Sequence, residues 1–306
     1  MKKILLSLSV VAAVAAVVLG ATTAFYNDEE ISSGNVLAAG AIDLGVDNES
    51  YYNGLLNPGT SWTLDYDLDP ETNPGGLPRL FFNFTDLKPG DWGEDTISLH
   101  VKDNDSWLCA DVTLTSNDDN DVTEPEDDEE LENDSPSTDP DDDNADGELA
   151  SRINFYWWAD DGDNVYENDE ELLNDGGVTF PGLGTYPITL ADSQYNIWGQ
   201  QDGDPAVDPI PGDPDGENVR YIGKAWCFGE GDVGPKPSTW DHDNDLNTPN
   251  VDDNRNPTIR PVSCDGSDES NITQTDSMTM DITFRAEQSR HQPDFTCQPE
   301  EENGTG

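Results

Sequence analysis

The chain is short of positive charge. It has 13 Lys and Arg residues against 66 Asp and Glu residues among 306, for a formal net charge of -53. Such a chain repels the phosphate backbone of nucleic acids and anionic lipids. We therefore expect neither nucleic acid nor a membrane surface as a partner, whereas cations should bind well. An acid-rich, lysine-poor composition also favours adaptation to high salt, where counterions screen the self-repulsion.

Residues that carry common enzyme chemistry are also scarce. The three histidines are His100, His242 and His291, and there is neither an H-E-x-x-H run nor a G-x-S-x-G elbow. Carboxylates are abundant, but no pair stands out as the acid and base of a glycoside hydrolase. The sequence therefore predicts a protein that is not an enzyme.

Long apolar runs are limited to one, at the N-terminus. Two lysines precede an apolar run at 4–19, and the small residues of 21–24 follow it. These are the three parts of a secretory signal, so we predict a signal peptide at 1–24 and a mature chain that begins at Phe25. A retained N-terminal anchor is the alternative. Removing the two lysines changes the net charge from -53 to -53 - 2 = -55, and we expect the secreted chain to lie outside the membrane, in the extracellular matrix or at the cell surface.

Cysteine is scarce as well, with four residues: Cys109, Cys227, Cys264 and Cys297. In an exported chain four cysteines predict two disulfides, with three possible pairings. Cys227 and Cys264 flank a long acidic loop, which favours that pair and leaves Cys109 with Cys297. A zinc site is the alternative, but the sequence has no C-x-x-C spacing and no histidine cluster to support it.

Helical periodicity is missing, and several short segments alternate apolar with polar residues instead. The clearest are TISLHVK at 96–102, WLCADVTLT at 107–115 and SMTMDITFRAEQ at 277–288. Alternation of this kind predicts strands with one buried face. We predict an all-β fold, an antiparallel jelly-roll-like β-sandwich of about eight or nine strands. LFFNF at 80–84 is a further strand candidate, and the polar residues 103–106 predict a hairpin turn.

Long polar segments interrupt this pattern without dividing the chain. Residues 116–150 contain no Lys or Arg and are dominated by acids, which predicts a disordered insertion. Two more segments, 201–218 and 229–261, are predicted loops. We therefore expect one β-sandwich domain over 25–306 with long acidic loop insertions.

Two acidic stretches are candidate calcium sites, because calcium prefers oxygen ligands. The first is WWADDGDNVYENDEELL at 157–173, and the second is WDHDNDLNTPNVDDN at 240–254. Neither is a complete EF-hand, since Tyr166 and Leu246 replace the required glycine. Solvated acidic turns are the alternative in so acidic a chain. The predicted ligands are Asp161, Asp163, a backbone carbonyl of Val165 or Glu167, Asp169 and Glu170 in the first stretch, and Asp241, Asp243, Asp245 and Asp252 in the second.

Three blocks of sequence stand out: ATTAFYNDEEISSGNVLAAGAIDLGVDN at 21–48, TDLKPGDW at 85–92 and SMTMDITFRAEQSR at 277–290. Together they resemble the TasA and camelysin family of exported proteins with a SipW-type signal peptide. The resemblance implies a jelly-roll subunit of extracellular biofilm-matrix fibres. Its expected partners are other copies of itself, together with other matrix components. Camelysins are described as metalloproteases, but no zinc motif here supports that activity.

The N-terminal segment gives the hypothesis of fibre assembly a physical basis. A processed segment can add to the strand edge of the next subunit through backbone hydrogen bonds, with apolar residues filling sites there. The predicted assembly residues are Phe25, Val36, Leu37, Ile42 and Leu44. In the alternative, this segment is the protein's own first strand. A monomeric calcium-dependent cell-surface or carbohydrate-binding module is the second functional hypothesis.

Overall fold

Strands make up about half of the residues that the structure describes. The computed structural model describes residues 27–32, 43–65, 79–120, 147–173, 177–180, 182–199, 207–213, 215–216, 218–236 and 262–298. Several predictions concern residues outside these ranges: the signal peptide at 1–24, most of the acidic insertion, the assembly residues Phe25, Val36, Leu37 and Ile42, and the second calcium loop with Asp241, Asp243, Asp245 and Asp252. No helix among the described residues is long and apolar enough to span a membrane.

The described part of the chain has twelve strands and one short α-helix. In chain order they are β1 Asn27–Ser32, β2 Asp43–Tyr52, β3 Leu55–Leu56, β4 Trp62–Asp65, β5 Trp92–Lys102, β6 Ser106–Asp118, α1 Leu149–Arg152, β7 Ile153–Asp160, β8 Gly184–Ala191, β9 Val219–Phe228, β10 Glu230–Val233, β11 Val262–Asp265 and β12 Ser277–Gln288. A single 3-10 turn, Ser289–His291, follows β12.

Two antiparallel sheets pack face to face. One has the strand order β1-β12-β6-β8, and the other has the order β3-β2-β5-β9-β7 with β4 also paired to β2. Strands β10 and β11 form a separate pair. Apolar residues of both sheets, such as Leu99 and Val101 on β5 and Leu108 and Val112 on β6, belong to one buried cluster. The predicted all-β antiparallel sandwich is confirmed, and the jelly-roll connection order stays a prediction.

The link between β5 and β6 corrects the predicted hairpin at 103–106. Strand β5 pairs with β2 and β9, whereas β6 pairs with β12 and β8. The short link, with Asp103 in the left-handed region at φ 69°, therefore carries the chain from one sheet to the other. Turn composition does not reveal whether the two strands it joins share a sheet, which is why the hairpin was wrong.

The segment 79–84 is a second correction, because it forms no strand. Its aromatic side chains instead fill the core: the Phe81 ring lies 4.8 Å from Trp62 and the Phe82 ring lies 5.6 Å from Phe155. An apolar run is compatible with a strand or with an irregular buried segment. Packing against rings from several strands stabilises the irregular form here.

Parts of the three predicted loops form regular or buried structure. Strand β6 continues to Asp118, and helix α1 begins at Leu149, which is buried with Ala150. The insertion predicted at 116–150 therefore includes ordered residues at both ends. Within the loop predicted at 201–218, Ile210 is buried and pairs with Ser106. The loop predicted at 229–261 begins with β10, which pairs with β11.

Leu44 corrects the predicted list of assembly residues. It lies on β2, is 0% exposed and pairs in register with Val101 on β5. It therefore fills the core of its own subunit and is not free to enter a neighbour. The N-terminal segment itself forms β1, which pairs with β12 of the same chain through Asn27↔Glu287 to Ser32↔Ile282.

Two disulfides join distant parts of the chain. Cys109 on β6 bonds to Cys297 near the C-terminal end of the described chain, and Cys227 on β9 bonds to Cys264 on β11. This is the pairing that the acidic loop between Cys227 and Cys264 favours. Disulfides form and persist in oxidising compartments, so the two bonds indicate that the protein folds in such an environment.

Candidate metal centre

Strand β7 leads directly into the acidic turn at 161–173. Almost every residue of β7 is buried, and the chain folds back after the turn to pair with the strand it has just left. The Ala159 amide donates to the Glu171 carbonyl at 2.9 Å, and the Leu173 amide donates to the Trp157 carbonyl at 2.8 Å. The turn is therefore held at both ends by a strand anchored in the core.

Asp160, the last residue of β7, organises the start of the turn. Its carboxylate accepts hydrogen bonds from Trp158 Nε1 at 2.9 Å, from the Gly162 amide at 2.9 Å and from the Asn164 amide at 3.1 Å. Asp160 is 1% exposed. A buried carboxylate that accepts backbone N–H bonds fixes a tight turn, because it satisfies donors that no strand partner reaches.

The tight turn also depends on glycine at position 162. Gly162 has φ +113°, and a Cβ there would lie 3.0 Å from the Tyr221 ring. Any side chain at this position would be strained and crowded. Asn164 adopts the left-handed region at φ 61°, which asparagine tolerates better than most residues. The two residues turn the backbone so that the neighbouring acids face one another.

Three acids converge within this turn: Asp161, Asp163 and Glu167 each offer a carboxylate oxygen, and these oxygens lie within 4.8 Å of one another. Asp163 is 1% exposed and Glu167 is 2% exposed, whereas Asp161 is exposed. We call these three residues the acidic triad. Its geometry can hold a metal ion with hard oxygen ligands, reached from solvent on the Asp161 side.

Glu170 joins the two ends of the turn. Its Oε1 accepts a hydrogen bond from the Asp161 amide at 3.0 Å, and its Oε2 accepts one from the Glu167 amide at 2.9 Å. Both carboxylate oxygens are thus committed to backbone donors next to the triad. Glu170 is buried, and it holds two members of the triad at a fixed separation.

Burial and neighbouring negative charge raise the pKa of two carboxyl groups in the turn, Asp160 and Glu170. Burial is the main cause that raises the pKa of Asp160, and the nearby charge of Asp163 raises it further. Burial is also the main cause that raises the pKa of Glu170, and the charge of Asp160 raises it further. Each carboxylate is costly to ionise while the others are charged. A bound divalent cation would offset this repulsion and favour the ionised forms.

The structure gathers part of the predicted ligand set. Asp161 and Asp163 belong to the triad, whereas Asp169 is exposed and lies outside it. Val165 is buried, and its amide donates to Asp163 Oδ1 at 2.8 Å. The prediction from the sequence included only the backbone carbonyl of Glu167 and missed its carboxylate. Counted from Asp161, Glu167 is the seventh position, where an EF-hand uses a backbone carbonyl, so the template itself concealed the carboxylate.

In comparisons with known proteins, the chain matches no family model, no curated protein and no solved structure. The likeness to TasA and camelysins therefore rests on the blocks of sequence quoted above, and its functional implications stay predictions.

Proposed function

We propose that this chain is a secreted structural subunit of extracellular matrix fibres, in which the N-terminal strand of one subunit pairs with β12 of the next. The observation that supports this proposal is the position of β1. It is the outermost strand of the sheet β1-β12-β6-β8. The next strand, β2, belongs to the opposite sheet, and residues 33–42 connect the two.

Strand β1 is suited to exchange between subunits. Its sequence, NDEEIS, is mostly polar, and all six residues pair with β12 in an antiparallel ladder, which attaches the strand through backbone hydrogen bonds. The same six residues of a second copy would offer β12 an identical set of donors and acceptors. Exchange thus conserves the pairing while linking molecules head to tail, and a heterologous contact that does not close generates a filament.

We further propose that the acidic triad binds calcium. Asp161, Asp163 and Glu167 supply three carboxylates, and calcium takes six to eight oxygen ligands in flexible geometry. Backbone carbonyls of the turn and water would complete the shell. The bound cation would neutralise the buried acids and hold the turn against the edge of β7, which stabilises the subunit outside the cell.

Electron microscopy of double variants tests the assembly. Glu29 and Glu30 lie in the middle of β1, opposite Arg285 and Phe284. In an antiparallel pair the N–H groups of neighbouring residues point to opposite sides, so proline at both positions removes a donor that faces β12, whereas threonine at both positions favours a strand. We expect wild-type protein and the Glu29→Thr, Glu30→Thr variant to form fibres, and the Glu29→Pro, Glu30→Pro variant to remain monomeric with its disulfides intact. Fibres from the proline variant, or a wild-type protein that stays monomeric under all conditions, would contradict strand addition. The second outcome would favour the monomeric calcium-dependent module.

Thermal unfolding tests the calcium site. Calcium at 100 times its dissociation constant should stabilise the folded state by about 2.7 kcal/mol, and magnesium at equal ionic strength should do much less. The Asp161→Asn, Asp163→Asn double variant should lose the calcium-specific shift. Asp169→Asn is the matched control, because this exposed acid belongs to the same turn but not to the triad. An equal response to magnesium, or a full calcium shift in the double variant, would refute the site.

A further inference from the structure

One lysine lies entirely inside the sandwich. Lys224 on β9 is 0% exposed, and it pairs in register with Asp95 on β5, which is 1% exposed. The Lys224 Nζ atom lies 2.8 Å from Asp95 Oδ2. The other Lys and Arg ion pairs of the described residues have at least one partly exposed partner, as with Lys102 and Asp43 at 3.6 Å. Among these contacts, the Lys224–Asp95 pair is thus the one held wholly away from solvent.

Aromatic rings surround this pair. The Lys224 Nζ atom lies 3.7 Å from the centre of the Phe82 ring, 5.2 Å from that of Phe81 and 5.9 Å from that of Trp157. The rings exclude water on the side facing the core and leave the amine in contact with one carboxylate. Two ions held in this way lose their hydration, and such burial is costly even when they are paired.

The carboxylate is also oriented by an amide. Asn48 Nδ2 donates to Asp95 Oδ1 at 3.1 Å and to the Thr60 carbonyl at 2.7 Å. Asn48 is itself 2% exposed. The two oxygens of Asp95 therefore have different neighbours: Oδ1 accepts a hydrogen bond from Asn48, and Oδ2 faces the amine of Lys224.

Burial lowers the pKa of Lys224 more than the charge of Asp95 raises it. The low polarity of the site therefore favours the neutral amine of Lys224 over the ammonium form. A neutral amine is the nucleophilic form of lysine.

We propose that Lys224 and Asp95 condense to an isopeptide bond inside the folded protein. The Nζ lone pair attacks Asp95 Cγ, the Nζ–Cγ bond forms, and the Cγ–Oδ2 bond breaks. Two of the three protons of the original ammonium leave with Oδ2 as water, and the third stays on the amide nitrogen. The step needs no oxidant, no reductant and no other reactant.

The fold supplies the two requirements of this reaction. The paired strands hold the amine against the carboxyl group, which replaces a bimolecular encounter by a fixed approach. The Asn48 amide donates to Oδ1, the oxygen on which negative charge develops when Nζ attacks. The product removes two buried charges and joins β5 to β9, the adjacent central strands of the larger sheet, with a covalent bond.

Mass spectrometry of the mature protein, denatured and with its disulfides reduced, tests the proposal. The mass should be lower than the sequence requires by one water molecule. Trypsin should fail to cut after Lys224 and should release one branched peptide that joins the β5 and β9 segments. A full sequence mass, with separate linear peptides from the two strands, would show that Lys224 and Asp95 form only a buried ion pair and would overturn the proposal.

Variants separate this bond from other losses of water. Aspartate–glycine sequences such as Asp161–Gly162 can also lose water by forming a succinimide, which would leave no branched peptide. Lys224→Met should restore the missing water, whereas Lys102→Met, which removes the partly exposed lysine of the Asp43 pair, should not. A water deficit that persists in Lys224→Met protein would overturn the proposal. If that variant does not fold, the presence or absence of the branched peptide in wild-type protein decides the question.

Discussion

Removal of the two disulfides should weaken the fold unequally. The bond between Cys109 and Cys297 closes a sequence separation of 188 residues, and the bond between Cys227 and Cys264 closes one of 37. A cross-link stabilises mainly by restricting the unfolded chain, and the effect grows with the logarithm of loop length. The longer loop should therefore contribute more.

The loop-closure relation gives the size of each effect. For a separation of 188 residues the stabilisation is about 5.3 kcal/mol, and for one of 37 it is about 3.8 kcal/mol. The difference of about 1.4 kcal/mol should increase further because of the folded state. Cys109 and Cys297 are both buried, whereas in the other pair Cys227 is buried and Cys264 is partly exposed, so loss of the first pair leaves more unfilled space in the core.

Denaturant unfolding of two double variants measures this difference. Cys109→Ala with Cys297→Ala is compared with Cys227→Ala and Cys264→Ala, in high salt so that repulsion among the acids is screened. Alanine is used because a buried serine would add an unsatisfied hydroxyl group. We expect the first pair to cost more free energy of unfolding than the second. Equal costs, or the reverse order, would refute the loop-closure account.

Two further changes test the packing and the electrostatics of the larger sheet. Gly223→Ala should lower the free energy of unfolding by about 1–3 kcal/mol or more, because the new Cβ would lie 1.9 Å from the Trp158 ring. Gly182→Ala is the control: no atom lies within 4 Å of its new Cβ, so the free energy of unfolding should change by less than about 0.5 kcal/mol. Burial lowers the pKa of His100, but its hydrogen bonds to Asp47 and to a backbone carbonyl raise it, so the net pKa lies above 6.5. The stability supplied by this pair should be present below pH 6.5 and lost as pH rises through the folded-state pKa; chemical denaturation across pH should show this fall in wild-type protein and not in Asp47→Asn. An unfolding free energy of wild-type protein that follows the same pH dependence as that of Asp47→Asn would contradict the electrostatic account. A Gly223→Ala protein as stable as wild type would contradict the packing account.

The sequence alone is sufficient to predict strands that bury one face. Alternation in β5, β6 and β12 predicted their existence and their inward residues, because each strand has an exposed or half-exposed side. Segment 79–84 failed this test, since its phenylalanines pack as an irregular segment between strands. Whether an apolar run becomes a strand depends on backbone partners supplied by distant parts of the chain, and these are invisible in a local pattern.

The buried lysine shows a second limit. In β9 the residues from Ile222 to Phe228 are all buried, so no alternation marks Lys224 as inward-facing. Its partner Asp95 lies on a different strand, and only the register of β5 against β9 brings them together. A lysine is seldom fully buried unless it is paired, and here the pairing with Asp95 across the two strands permits it.

The candidate metal centre was predictable in location but not in full membership. The strand ending at Asp160 and the acids that follow it predicted a turn with Asp161 and Asp163 in it. The roles of Glu167 and Glu170 depend on how the chain folds back on β7, where Glu170 bonds to the backbone and Glu167 joins the triad. Composition cannot distinguish these two glutamates.

Strand exchange between molecules is the central claim, and a mixture of two proteins, each with one cysteine added to the two native disulfides, tests it directly. Ile31 on β1 lies opposite Thr283 on β12. One protein carries Ile31→Cys and the other Thr283→Cys, and the two are mixed before assembly and then oxidised. The control is one chain with Thr113→Cys and Asp281→Cys, which are paired between β6 and β12 within the subunit and should close internally. Our account predicts a disulfide-linked dimer of the two single variants on a non-reducing gel. No dimer from the mixture, with internal closure of the Ile31→Cys, Thr283→Cys double variant, would show that β1 remains on its own subunit and would contradict the claim.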